Sequence, residues 1–192
     1  MLSAARRTAH VYARPMGETQ TGVRVSLGDD GGANVATGLP VLDHLLRELG
    51  RSGRLRISLE VAPGSADEEV AAAGRAIGRA LADPLHADEA AGVGWALLPA
   101  EEALAAATVE ISERPLVFSN VDFSDQRVGG LASDVVSRFL NELAAGAGLA
   151  VHVRLLEGRD PQHVLVAIFK ALGAALGQAC RPPHGHAGGG GS

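Results

Sequence analysis

Apolar residues recur along this chain in two rhythms. Over 41–49, 66–81, 133–144 and from 161 onward they return every three or four positions, which predicts four amphipathic helices. Over 54–61 and 149–156 they alternate, with Leu55, Ile57 and Leu59 on one face and Leu149, Val151 and Val153 on the other copy's equivalent face, which predicts two half-buried strands. Shorter alternations predict two strands between His10 and Leu27 around the polar turn Met16-Gly17-Glu18-Thr19, and a third strand after a hairpin turn at Gly31-Gly32. Two more are expected near 107–112 and over 116–123, joined by the turn Glu113-Arg114-Pro115. Residues 82–94 read as loop, with Asp83-Pro84 at the front and Gly92-Val93-Gly94 at the end.

Two helix openings carry strong start signals. Ser65 is a good N-cap with Glu68 three residues on, a capping box, and Asp160 is a good N-cap with Pro161 at the first helical position. Side chains in those first turns stand at the positive end of a helix, a natural place for an acid, an anion or a metal cluster.

The pattern repeats. LLRELGRSGRLRISL at 45–59 matches FLNELAAGAGLAVHV at 139–153 at an offset of 94, and the helix at 65–81 matches that at 160–176 at an offset of 95. The second match lays Gln162-His163 on Asp67-Glu68, and a looser one lays the strand at 23–27 on 108–112. Two copies of a unit of about 90 residues imply two half-domains on a shared core, since a solenoid needs about three or more units. The expected fold is therefore α/β in the α+β sense: a lead-in at 1–9, half-domains at 10–94 and 95–180, and a flexible tail at 181–192 ending in the linker-like GGGGS.

Composition narrows the function classes. The 192 residues suffice for a sizeable core, which with six aromatics must be built of Leu, Val, Ile and Ala. A net charge of −5 without an Arg/Lys cluster argues against nucleic acid as a partner. A single cysteine, Cys180, excludes an internal disulfide and suits a cytoplasmic protein, and no apolar run is long enough to expect membrane insertion.

Ionisable residues fall at equivalent places in the two halves: His44 with Asp67-Glu68, and His152 with Gln162-His163. Divalent metals such as Mn²⁺ or Zn²⁺ accept such a mixture of imidazole and carboxylate. Helix-borne ligands sharing a face need a spacing of three or four, and the residues at that spacing from Glu68 and His163 include Ala71, Ala72 and Val166, which cannot ligate. Plainer roles compete: a structural histidine at a core edge for His44, capping and dipole compensation for Asp67 and Glu68, an ordinary turn residue for Arg114, a solvated helix residue for Lys170.

Taken together, Glu18-Thr19, Thr37-Gly38 with Leu42-Asp43-His44, Glu113-Arg114-Pro115, Val151-His152-Val153, and Gly158-Arg159 through Gln162-His163 to Phe169-Lys170-Ala171-Leu172 resemble the imidazoleglycerol-phosphate dehydratase family of histidine biosynthesis, in order and over about residues 5–180. The resemblance implies two similar halves, each a four-stranded sheet with two helices, of the ribosomal protein S5 domain 2-like class. It implies trimers assembled into a 24-subunit homo-oligomeric shell, with two Mn²⁺ ions at subunit interfaces. The family's reaction dehydrates imidazole-glycerol phosphate, a small phosphorylated imidazole, to imidazole-acetol phosphate. By resemblance Glu18 takes the acid–base position, His44, His152 and His163 take metal-ligand positions, and Arg114 and Lys170 take phosphate-binding positions.

The departures from the family pattern fall on the chemistry. Where the family carries His-His-x-x-Glu at the start of each long helix, this chain has Asp67-Glu68-Glu69-Val70-Ala71 and Gln162-His163-Val164-Leu165-Val166. Ser52 replaces a histidine and Gly92 stands near a phosphate-binding arginine position. His44, His152 and His163 with Asp67 or Glu68 make at best one four-ligand site. Two functions therefore compete on this scaffold: a dehydratase of weakened or rebuilt metal ligation, and a noncatalytic homologue that binds a ligand or co-assembles with an active relative as a structural or regulatory subunit.

Overall fold

The computed structural model describes residues 21–121, 127–128 and 131–183. The elements run β1 (Gly22–Leu27), β2 (Gly32–Ala36), α1 (Pro40–Gly53), β3 (Leu55–Glu60), α2 (Ala66–Leu85), β4 (Val93–Ala100), β5 (Ala103–Ile111), β6 (Leu116–Ser119), β7 (Arg127–Val128), β8 (Leu131–Ala132), α3 (Ser133–Ala147), β9 (Leu149–Glu157) and α4 (Pro161–Ala179). The strands expected before residue 21, the acid–base candidate Glu18 and the tail lie outside the described residues.

The duplication is visible in the topology. The first sheet has the order β1-β3-β2, with β1 antiparallel and β2 parallel to β3. The second has β4-β5-β9-β6, with β5 antiparallel and β6 parallel to β9. So β5, β6, α3, β9 and α4 repeat β1, β2, α1, β3 and α2, and β4 lies at the edge beside β5.

The expected hairpin at Gly31-Gly32 is corrected. It turns the chain, but β1 and β2 are not paired, because β3 lies between them. Leu55, Ile57 and Leu59, at most 2% exposed, lie on the face of β3 that α1 and α2 cover, while β1 and β2 bond its two edges. A parallel β2–β3 pair also needs a crossover, which α1 supplies.

Two further expectations give way. Val93 and Gly94, expected as the end of the loop, open a strand that continues to Ala100 through residues the pattern left unassigned, for its alternation is one of size: Gly94 and Ala96 face inward while Val93, Trp95 and Leu97 face out. Helix α2 continues through Pro84 to Leu85, because a proline in a last turn forfeits a single backbone bond and Leu85, 1% exposed, gains the core.

Helices α1 and α2 cover the first sheet, α3 and α4 cover the second, and the two helix layers pack together, α1 on α4 and α2 on α3. The core fills the spaces between these layers, with Phe139 and Phe169 tilted against each other at 5.3 Å between α3 and α4. Gly78 on α2 packs on the Leu143 carbonyl of α3, and Gly173 on α4 packs on the Leu49 carbonyl of α1. The second helix of each half thus lies on the first helix of the other, which couples the halves. No helix among the described residues is long and apolar enough to cross a membrane.

Candidate functional site

The approach to α1 is fixed by buried Thr37. Its backbone N–H and its Oγ1 both donate to Asp43 Oδ1, at 3.0 and 2.7 Å, and its Oγ1 accepts from the Leu39 N–H at 3.2 Å. Asp43 therefore serves the helix opening, and His44 is the residue of that pair turned outward. Asp160 caps α4 as the sequence predicts, its Oδ1 accepting from the N–H groups of Gln162 at 2.8 Å and His163 at 3.4 Å.

The openings of α1 and α4 lie side by side, and with the end of β4 they enclose a cleft of about 560 Å³ lined by His44, Glu48, Glu101, Gln162, His163 and Lys170. A more apolar recess of about 210 Å³ adjoins it, with Pro40, Val41, Leu45 and Leu165 in its walls and His44 and Gln162 shared between the two. Cleft volumes of this order suit small organic ligands.

Glu102, in the two-residue turn between β4 and β5, organises the polar side. Its Oε1 accepts from the Asp160 N–H at 2.9 Å and the Arg159 N–H at 3.3 Å, and its Oε2 accepts from His163 Nδ1 at 2.5 Å. The Asp160 amide, then the His163 ring, hold the Glu102 carboxyl down at about 2. The same carboxylate raises the His163 imidazole above its ordinary value. The ring is thus oriented, kept cationic to higher pH, and left with Nε2 for a ligand, an arrangement that carboxylates commonly give to metal-binding or anion-binding histidines. Lys170 Nζ donates to the Pro99 carbonyl at 2.5 Å and places an ammonium on the same cleft.

The structure brings together His44, His163 and Lys170 and leaves the other candidates apart. His152 faces outward on β9, opposite the buried Val151, against Phe118 at a ring separation of 5.0 Å. Glu68 closes the predicted capping box with Ser65, and Asp67 pairs with Arg138 at 3.2 Å. Arg114 follows the far end of β5, about 30 Å of strand from Glu102, in a turn held by Ser112. Among the described residues no three His, Cys, Asp or Glu side chains gather closely enough to hold a metal.

A β-β-α-β-α unit used twice, with the second helix of each copy packed between its own sheet and the first helix of the other copy, and with a polar cleft at two helix openings, defines a duplicated α/β domain. A family model described as imidazoleglycerol-phosphate dehydratase matches residues 37–176. The imidazoleglycerol-phosphate dehydratase of Clostridium botulinum (strain Kyoto / Type A2) is 33% identical over 178 residues, which are 89% of either chain. That of Desulfitobacterium hafniense (strain Y51) is 34% identical over 171 residues, 85% of this chain and 86% of its own. Among solved structures, the enzyme of Staphylococcus aureus superposes with a TM-score of 0.78 at 28% identity, covering 86% of this chain and 96% of its own. That of Pyrococcus furiosus gives 0.72 at 26%, covering 88% and 93%. The chain belongs to the imidazoleglycerol-phosphate dehydratase family.

The Mn²⁺ pair implied by the earlier resemblance does not fit the donors found on α2 and α4. Asp67 is claimed by a guanidinium, Glu68 caps its own helix, and the residues three beyond Glu68 and His163, Ala71 and Val166, are hydrocarbon. Of the residues now seen to matter, Glu102 and Glu48 escaped the sequence reading. The acidic pair after Pro99-Ala100, between two alternating stretches, was the available signal for a turn that returns to a helix opening.

Proposed function

We propose that the α1–α4 cleft receives imidazole-glycerol phosphate, with Lys170 as a phosphate-binding group and His163 and His44 beside the imidazole and hydroxyl end, and that this chain dehydrates it only feebly. Family membership supports the substrate. The observation that carries the weakness is Asp67 held by Arg138 at the opening of α2, where the family has a ligating histidine. In dehydration a proton leaves C2 and hydroxide leaves C3, and a Lewis acid on the ring supplies several kcal/mol of that barrier. The protein is expected to act in the cytoplasm.

The test is turnover of imidazole-glycerol phosphate with Mn²⁺, beside calorimetric binding of the same compound. Binding with turnover about a thousandfold below that of a member carrying both His-His-x-x-Glu motifs is expected. Turnover within tenfold of such a member would overturn the weakness and place rebuilt ligation in its stead. Absence of binding would remove the cleft as the substrate site.

A second reading has its own observation. Trp95, Thr108, His152 and Phe118 form one row across the outer face of the second sheet, with Trp95 69% and Phe118 57% exposed. An apolar sheet face of this kind favours association, as a homo-oligomer or as a noncatalytic subunit alongside an active relative. Light scattering of the chain alone and mixed with an intact member separates the two: a mixed species supports the subunit role, and a homo-oligomer that excludes the relative rejects it.

A further inference from the structure

The two helix pairs are copies of one another, and their charges are wired differently. The offsets of 94 for α1 to α3 and 95 for α2 to α4 make Glu48 and Arg51 the counterparts of Glu142 and Ala145, and Lys170 the counterpart of Arg75. On the α2–α3 face the carboxylate of Glu142 reaches across to Arg75 at 3.4 Å, and Arg138 reaches Asp67 at 3.2 Å, so that face is bridged by ion pairs. On the α1–α4 face the carboxylate of Glu48 is taken by Arg51 of its own helix at 2.8 Å, and Lys170 bonds the Pro99 carbonyl. Glu48 and Lys170 nonetheless line the same cleft.

The difference traces to one position. Arg51 lies three residues after Glu48, one helical turn along the same face, and can hold the carboxylate without crossing the cleft. Its counterpart Ala145 has no charge to offer, so Glu142 pairs across the helices. We propose that Arg51 is a positioning residue for anion binding: by holding Glu48 on α1 it keeps that carboxylate from neutralising Lys170, whose ammonium then stays available to a phosphate group. Without Arg51 the α1–α4 face would close on itself as the α2–α3 face has done. This inference rests on the reading of Lys170 as a phosphate-binding group.

The experiment is calorimetric titration of inorganic phosphate at low ionic strength, where such pairs are least screened, with thermal melting of each variant as the check on folding. Arg51 is 70% exposed in its side chain, so its replacement leaves the core untouched. Arg51→Ala is expected to weaken phosphate binding about threefold to tenfold. Arg51→Lys is expected to retain most of the affinity, and adding Glu48→Gln to Arg51→Ala to restore it. Lys170→Gln should weaken binding at least as much as Arg51→Ala. If Lys170→Gln loses binding while Arg51→Ala binds as the unaltered protein does, the positioning role is overturned and the cleft reading stands. If Lys170→Gln changes nothing, or the unaltered protein binds no phosphate, both fall.

Discussion

His163 shows how far a single side chain can be read in advance. The internal repeat marks it, because it lies opposite Glu68 at a helix opening, but its partner Glu102 is 61 residues away on a turn and shares no periodic pattern with it. The pairing sets a pH dependence with a definite sign. The folded value of His163 is raised, so its share of the pairing is complete below the ordinary 6.5 and is lost as pH climbs through the raised value. Glu102 is lowered to about 2, so its share is present above the ordinary 4.5 and is lost as pH falls through about 2. In an NMR titration the His163 ring is expected to titrate above 6.5 and, in Glu102→Gln, to return to that value or lower. An unchanged midpoint in the variant would remove Glu102 as the cause.

Helix α4 illustrates what periodicity says and omits about an element. The stripe of apolar residues, the Asp160 cap and Pro161 announced its position and start, and the structure places it at Pro161–Ala179. The repeat also showed that Gly78 and Gly173 correspond. Only the packing shows why both are glycine: each lets two helices meet at backbone distance, Gly173 on the Leu49 carbonyl and Gly78 on Leu143. Alanine is the better helix former by about 1 kcal/mol, yet its methyl would enter a space already filled by backbone. Gly173→Ala is therefore expected to lower stability by about 2–3 kcal/mol, net of that propensity, and Tm by roughly 5–10 °C. A Tm at or above that of the unaltered protein would contradict the close approach. Strand β4 was missed for a related reason, since its inward residues are small where helix α4 crowds them and Gly94 read as punctuation.

The molecule is closed at its lower end by Arg181, the residue with which the sequence reading began the tail. Its guanidinium donates to the Gly53 carbonyl at 2.9 Å, to Gly177 at 2.5 Å, to Arg54 at 2.8 Å and to Gly28 at 3.4 Å. It thus joins the carboxyl ends of α1 and α4 to the β1–β2 connection, where helix dipoles favour a cation. Arg181→Ala is expected to cost about 2–3 kcal/mol through the stranded carbonyls and to lower Tm by roughly 5–10 °C, read by thermal melting; Arg181→Lys should recover part of it. A Tm within a degree of the unaltered protein would show that solvent serves these carbonyls equally well.

Rhythm and repeat along the chain were enough to establish four helices, the main strands and the duplication, because periodicity and capping are local properties of consecutive residues; the family came from the ordered resemblance of short motifs such as Leu42-Asp43-His44 and Phe169-Lys170-Ala171-Leu172. Strand order was decided by tertiary contacts, for β3 enters between β1 and β2 by bonding one to each of its backbone edges, antiparallel on one side and parallel on the other, and no spacing along the chain announces that. The division of labour between the two helix pairs was decided there too. Equivalent positions carry Glu48 and Glu142, and which cation each carboxylate finds depends on side chains brought together from two helices, a distance in space that no spacing in sequence records.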